Sequence, residues 1–177
     1  RVSVRSIMIK RYGIIGCGMM GQEHLSNINL IDDAIAYAIY EPNINMQKMA
    51  KKLAPDAKFY DSLDKILSDE NIDCWLIVSP NHLHMDQLEQ LAGIPHRPIL
   101  VGKPLFTEIK HLERIKNFSI KYNAPVWVAM EYRYMPPIAE LIKRQNNVTG
   151  GIKMLSIREH RFPFLPKVDD WNRFNKN

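Results

Sequence analysis

The stretch Tyr12-Gly13-Ile14-Ile15-Gly16-Cys17-Gly18-Met19-Met20-Gly21 decides the reading of this chain, because an apolar run breaks there into three glycines spaced G-x-G-x-x-G. A helical pattern follows, and the strand-like Ile35-Ala36-Tyr37-Ala38-Ile39-Tyr40 ends in Glu41, twenty residues beyond the last glycine. Three glycines alone are weak; with a strand before them, a helix after and a distant acid they form the dinucleotide fingerprint. Gly16 lets the chain turn sharply out of the strand, and Gly18 leaves room for a pyrophosphate against the backbone. Gly21 lets the helix lie close on the sheet. Met19 and Met20 open that helix, whose N-terminal N–H groups and partial positive charge face the phosphates. Glu41 is expected to accept hydrogen bonds from ribose hydroxyls and to repel a 2′-phosphate, so the cofactor expected is NAD, with NADP disfavoured. The competing reading is a glycine-rich turn in another α/β fold.

Working outward, the 177 residues suit one domain plus part of a second. Hydrophobic residues make up 46%, enough for a sizeable core. No apolar run approaches the ~18 residues of a membrane span, and the basic stretch Arg1 to Ser6 leads into a strand rather than a signal segment. Met8 reads as a natural start, which makes residues 1–7 an upstream extension. The net charge of +5 could suggest nucleic acid, but Lys and Arg are interspersed with Glu and Asp along the helices. A solvated surface is expected, with neither nucleic acid nor membrane as partner. The two cysteines, Cys17 and Cys74, have no metal or redox spacing. No metal is expected, and a reducing cytoplasm is the simplest location. The two N-x-S/T patterns, at Asn117 and Asn147, read as chance.

The rest alternates strand and helix, as a doubly wound parallel sheet requires. Strands are expected at 58–60, 72–78, 98–101 and 126–130. Helices are expected at 44–53, after Ser62, at 82–91 and at 107–122, the last with Ile109, Leu112, Ile115 and Ile120 as its apolar set. The methionines read mostly as core packing. In such folds ligands bind outside the carboxyl ends of the strands, so two further strand ends matter. Ser79-Pro80-Asn81-His82-Leu83-His84 brings small polar groups and two imidazoles to one end. Asn81 and His82 read equally as helix caps or cofactor contacts, and His84 as a contact or a partly buried helix residue. Val101-Gly102-Lys103-Pro104-Leu105 aims a lysine from a buried strand into the crevice. Its ammonium can hydrogen-bond a substrate hydroxyl and favour a developing alkoxide; the plainer alternative is a surface lysine in a turn.

The order G-x-G-x-x-G, S-P-N-x-x-H, K-P-L and Glu131-Tyr132-Arg133-Tyr134-Met135-Pro136 resembles the Gfo/Idh/MocA oxidoreductases, from about Ile9 to the chain end. The resemblance implies a Rossmann domain, expected over 8–136, followed by an α/β substrate domain of which 137–177 is the connecting helix and beginning. It implies NAD(P)-dependent hydride transfer to or from a secondary hydroxyl of a sugar or cyclitol, and a homo-oligomer for a full-length member. By resemblance Gly16, Gly18 and Gly21 serve the pyrophosphate and Glu41 the ribose. Ser79, Asn81 and His84 lie near the nicotinamide, and Lys103 is the catalytic lysine.

Two departures stand out. The family pattern is Glu-Lys-Pro, and here Gly102 replaces the acid, which is expected to loosen Lys103. The family's downstream Asp and His lie on a helix beyond the first substrate-domain strand, and the expectation is of a chain truncated before them. Residues 152–158 are expected to form that first strand, with Trp171 and Arg173 on the substrate side and His160 too early to be the base. A dinucleotide-binding module or truncated product without turnover is the alternative.

Overall fold

The computed structural model describes residues 8–145, 150, 151 and 153–158. The chain divides after Val128 into two units. The first carries six strands: β1 (Lys10–Ile15), β2 (Ala34–Tyr40), β3 (Lys58–Tyr60), β4 (Cys74–Ile77), β5 (Ile99–Val101) and β6 (Val126–Val128). Between them run α1 (Met19–Ile28), α2 (Ile44–Leu53), α3 (Leu63–Leu67), α4 (His84–Ala92) and α5 (His111–Lys121). The strand order is β3-β2-β1-β4-β5-β6 and every pairing is parallel. This is the doubly wound Rossmann arrangement, with its switch point between β1 and β4.

Adjacent apolar residues on each strand explain why the sheet is covered twice. Ile15, Ala38, Trp75 and Ile77 face a cluster completed by Ile66, Met85, Leu88, Leu91 and Phe118. Their neighbours Ile14, Ile39 and Leu76 face the opposite cluster with Leu25, Ile28 and Ala50. Strand side chains alternate between faces, so continuous Ile/Leu/Ala runs commit the strands to burial on both sides. Gly13 serves this packing, since a methyl there would lie 2.7 Å from Trp75 Cζ3.

Two expectations about packing are corrected. Of the nine methionines only Met85 is buried, and Met8, Met19, Met20, Met49, Met130, Met135 and Met154 are exposed. Helical spacing alone did not place them inside, because Leu, Ile and Ala already fill both clusters. In α5 the inner face is His111, Ile115, Phe118 and Tyr122, and Ile109, Leu112 and Ile120 are exposed. The helix begins at His111 rather than Thr107, and positions 111, 115, 118 and 122 share one face at a period of about 3.6 residues. Of the caps, Ser62 was legible, its Oγ accepting from the N–H of Lys65, whereas Asn43, whose Oδ1 accepts from the N–H groups of Asn45 and Met46, was not.

The second unit holds a 3₁₀ turn, Glu131–Tyr134, and α6 (Pro136–Arg144), with proline in its first turn and an Arg144–Glu140 ion pair one turn apart. No strand forms over 153–158, the described part of the expected 152–158 strand, and Met154, Leu155 and Ile157 are exposed. A strand needs a neighbour to take its hydrogen bonds, and none pairs with this segment among the described residues. His160, Trp171 and Arg173 lie outside the described residues. No helix among the described residues is long and apolar enough to cross a membrane.

Candidate functional site

The carboxyl ends of β1, β2, β4 and β5 carry the glycine loop, Glu41, Ser79–His84 and Gly102–Pro104. Gly16 holds the loop's tightest position. Its φ is +96°, and a methyl there would stand 2.6 Å from Ser79 N and 2.7 Å from Ser79 Cα. Its N–H donates to Tyr40 O at 2.8 Å. The turn therefore needs both the left-handed backbone and the missing side chain. Gly21 answers a second approach, since a methyl there would lie 2.6 Å from Gly16 O and 3.4 Å from Val78 Cγ2. α1 thus folds back onto the glycine loop itself, a closer contact than the helix-on-sheet packing expected of this position.

Gly18 is different, for nothing lies within 4 Å of where its side chain would be. It is the N-cap of α1, in extended conformation, with no side-chain cap and no acidic residue in the first turn. Met19 and Met20, at that turn, are exposed. The N-terminal N–H groups of α1 thus meet no acid in the helix's own first turn. Cys17 is fully buried, and burial, aided by the Glu41 charge, pushes its thiol up to about 12. It is not a nucleophile at neutral pH.

Glu41 does more than sequence reasoning assigned to it. It is 8% exposed, its Oε2 accepts from Cys17 N–H at 2.5 Å and its Oε1 from Asn43 N–H at 2.8 Å. The carboxylate ties the glycine loop to the end of β2 and to the turn that starts α2. A carboxylate has about four acceptor sites, so these two bonds do not exhaust it. The clamp was not legible in the motif, which marks the acid but not its backbone partners.

The other half of the crevice is built from the ends of β4 and β5. Val78 N–H donates to Ile15 O at 2.9 Å and Gly102 N–H to Ile77 O at 2.8 Å, which continue the sheet one residue past each strand. Ser79 Oγ donates to Gln87 Oε1 at 2.6 Å, and Gln87 is buried. Gln87 was missed; its signal was its place on the inner face of α4 with His84, Leu88 and Leu91. Asn81 opens a 3₁₀ turn, Asn81–Leu83, that leads into α4. His84 is 1% exposed, with Nδ1 at 2.9 Å from Pro104 O and Nε2 at 3.1 Å from Ser79 O. Of the readings left open, burial in the helix is the one observed, and both ring nitrogens are engaged by backbone. Desolvation pulls the imidazole's pKa down, partly offset by the two carbonyls.

Lys103 is exposed at the end of β5, followed by a cis bond to Pro104. Gly102 shows neither constraint seen at Gly16: a methyl there would meet His84 Cε1 at 3.4 Å and Ile77 O at 3.5 Å, ordinary contact distances.

Among curated proteins, the chain is 26% identical over 160 residues to myo-inositol 2-dehydrogenase of Thermotoga maritima, covering 90% of this chain and 47% of that protein. It is 29% identical over 157 residues to inositol 2-dehydrogenase of Corynebacterium glutamicum strain R, covering 86% and 46%. The chain thus spans about half the length of the curated relatives it matches. Among solved structures it superposes with a TM-score of 0.75 on Lactobacillus casei myo-inositol dehydrogenase in complex with NAD(H) and myo-inositol. That match has 24% identity and covers 81% of this chain and 43% of the other, a likeness of fold. Residues 10–130 match the profile of the GFO_IDH_MocA group, described as an oxidoreductase family with an NAD-binding Rossmann fold, and the chain belongs to that family.

Proposed function

We propose that this chain is the NAD(H)-binding part of an oxidoreductase moving a hydride between nicotinamide and a secondary hydroxyl of a sugar or cyclitol. The observation that carries the reading is the open face at Gly18, set on an uncapped helix N-terminus beside a buried acid. These residues fit a dinucleotide: the space at Gly18 admits a pyrophosphate against backbone, and the N–H groups of Met19, Met20 and Gly21 stand at the positive end of α1. Glu41 keeps acceptor capacity for ribose hydroxyls and opposes a 2′-phosphate, so NAD is preferred. Ser79, Asn81 and His84 frame the nicotinamide half, and Lys103 stands at its rim. Bound NAD supplies the hydride acceptor or donor. The Lys103 ammonium, at Nζ, would hydrogen-bond the reacting oxygen and lower the cost of alkoxide character on it. The inositol dehydrogenases among the relatives support a cyclitol or sugar as substrate. Trp171 and Arg173 are assigned to the substrate side, the complete protein to a homo-oligomer, and the location to the cytoplasm.

Fluorescence titration tests the reading: NADH binds more tightly than NADPH, and equal affinity overturns the assignment of Glu41. A second reading, cofactor binding without turnover, is favoured by Gly102 standing where the family pattern has Glu. An assay with inositols, glucose and NAD⁺ separates the two. With the substrate-domain segment supplied as in the full-length relatives, turnover lost in Lys103→Met supports the first, and intact NADH binding with no turnover supports the second.

A further inference from the structure

His84 sets a counting problem. Both of its ring nitrogens face carbonyl oxygens, Pro104 O and Ser79 O, at 2.9 and 3.1 Å. A carbonyl oxygen only accepts. A neutral imidazole donates from one nitrogen and carries a lone pair on the other, and only the imidazolium donates from both. In the neutral form one contact therefore sets lone pair against lone pair, and at 1% exposure water does little to relieve it. The two carbonyls belong to different strand ends: Ser79 follows β4, and Pro104 closes the turn that carries Lys103.

We infer that His84 is a positioning residue which adds, to the backbone bond from Gly102 N–H to Ile77 O, a side-chain tie between the Ser79 end of β4 and the Lys103–Pro104 turn. That tie is complete only when both ring nitrogens carry protons, so that NADH binding across these ends takes up a proton. This rests on the proposed placing of the nicotinamide beside Ser79, Asn81 and Lys103.

The surroundings leave the task to the two carbonyls. Gly102, 3.4 Å from the ring by its would-be Cβ, brings no carboxylate. The titratable groups on the segments that meet there are His82 on the 3₁₀ turn, Lys103 on the β5 side and, between α4 and α5, Asp86, Glu89 and His111. Asp86 and Glu89 are paired with Arg114, and Glu108 stands 3.8 Å from His111. His82 opposes a charge on His84, and burial opposes it more. In the free protein the fold therefore favours the neutral ring near pH 7, and stability falls as pH drops through the unfolded histidine value of about 6.5. A ligand that needs both strand ends in place shifts this balance toward the imidazolium, and by reciprocity binds more tightly as pH falls.

The test uses the whole chain in two arms. In the free protein, imidazole nitrogen NMR follows His84 while amide exchange follows Gly102 to Phe106. Protonation of His84 slows exchange there relative to the glycine loop, after correction for intrinsic rates; unchanged protection overturns the tie. In the second arm NADH affinity is titrated from about pH 8 to about pH 5.5. It rises in the native chain, by up to about threefold for a half-unit rise in the histidine's pKa, and is flat in His84→Gln. A flat native profile, or the same slope in His84→Gln, overturns the proton uptake. Should His84→Gln fail to fold, the native chain decides: NADH raises the His84 titration midpoint, and an unmoved midpoint is contradictory. If NADH does not bind at all, the cofactor placement fails and the first arm alone judges the tie.

Discussion

The two halves of the crevice are held by unequal means. At the glycine-loop half, Gly16 has a left-handed backbone and no room for a methyl, Gly21 meets Gly16 O, and Glu41 fixes two N–H groups. At the β4–β5 half, one backbone bond from Gly102 N–H to Ile77 O and one imidazole join the two strand ends, and Gly102 is under no steric demand. The same residue type thus has opposite meanings at two places in one site. A glycine forced by a close backbone approach belongs to the geometry of the turn, whereas one with space around it leaves the turn looser than a side chain would.

The largest expected effect tests the first half. Gly16→Ala combines a strained backbone, ~1–3 kcal/mol, with overpacking against Ser79, ~1–3 kcal/mol. Urea unfolding is expected to show a loss of about 3 kcal/mol or more, or no cooperative transition. A loss below about 1 kcal/mol would mean the loop yields and the contrast fails.

Next comes Glu41→Gln. The amide keeps one acceptor and turns an NH₂ group toward the other N–H, leaving a buried donor unmet at about 1–3 kcal/mol. The same change removes the charge that opposes a 2′-phosphate, so the NADH preference shrinks together with stability. If preference falls while stability holds, the carboxylate contacts ribose without clamping the loop.

Gly102 gives the smallest effect and the opposite sign. Gly102→Ala is expected to be neutral or to stabilise by up to about 1 kcal/mol, through fewer unfolded conformations. Gly102→Glu tightens NADH binding modestly by stiffening the turn and setting a carboxylate near His84. Weaker binding in Gly102→Glu would show that glycine suits this site.

Much of this was legible from residues alone, for a definable reason. Strand-end glycines, a distant acid and Ile/Leu runs are local signals, and the parallel sheet and the glycine loop followed from them. Side-chain destinations were less legible because they depend on phase and partners. In α5 the inner face is a neighbouring one, with His111 and Phe118 where Leu112 and Ile120 were expected. Met19, Met20 and Met49 fell outside although their spacing matched an inner face or a loop contact. Glu41 was found by its position, but its bonds to Cys17 and Asn43 arise only when β1 and β2 lie side by side. His84 was found by its motif, and its burial between two carbonyls required the β4–β5 pairing.

The most direct test of the central claim, that the glycine loop receives a dinucleotide pyrophosphate, separates folding from binding at Gly18. The position is open and is the N-cap of α1, where aspartate is favoured. Gly18→Asp is therefore expected to leave stability unchanged or raised by a few tenths of a kcal/mol. Its side chain and charge would occupy the phosphate position, so NADH affinity, read by fluorescence titration, is expected to fall by at least about tenfold, or ~1.4 kcal/mol. A stable Gly18→Asp chain that binds NADH as tightly as the native one would contradict the account.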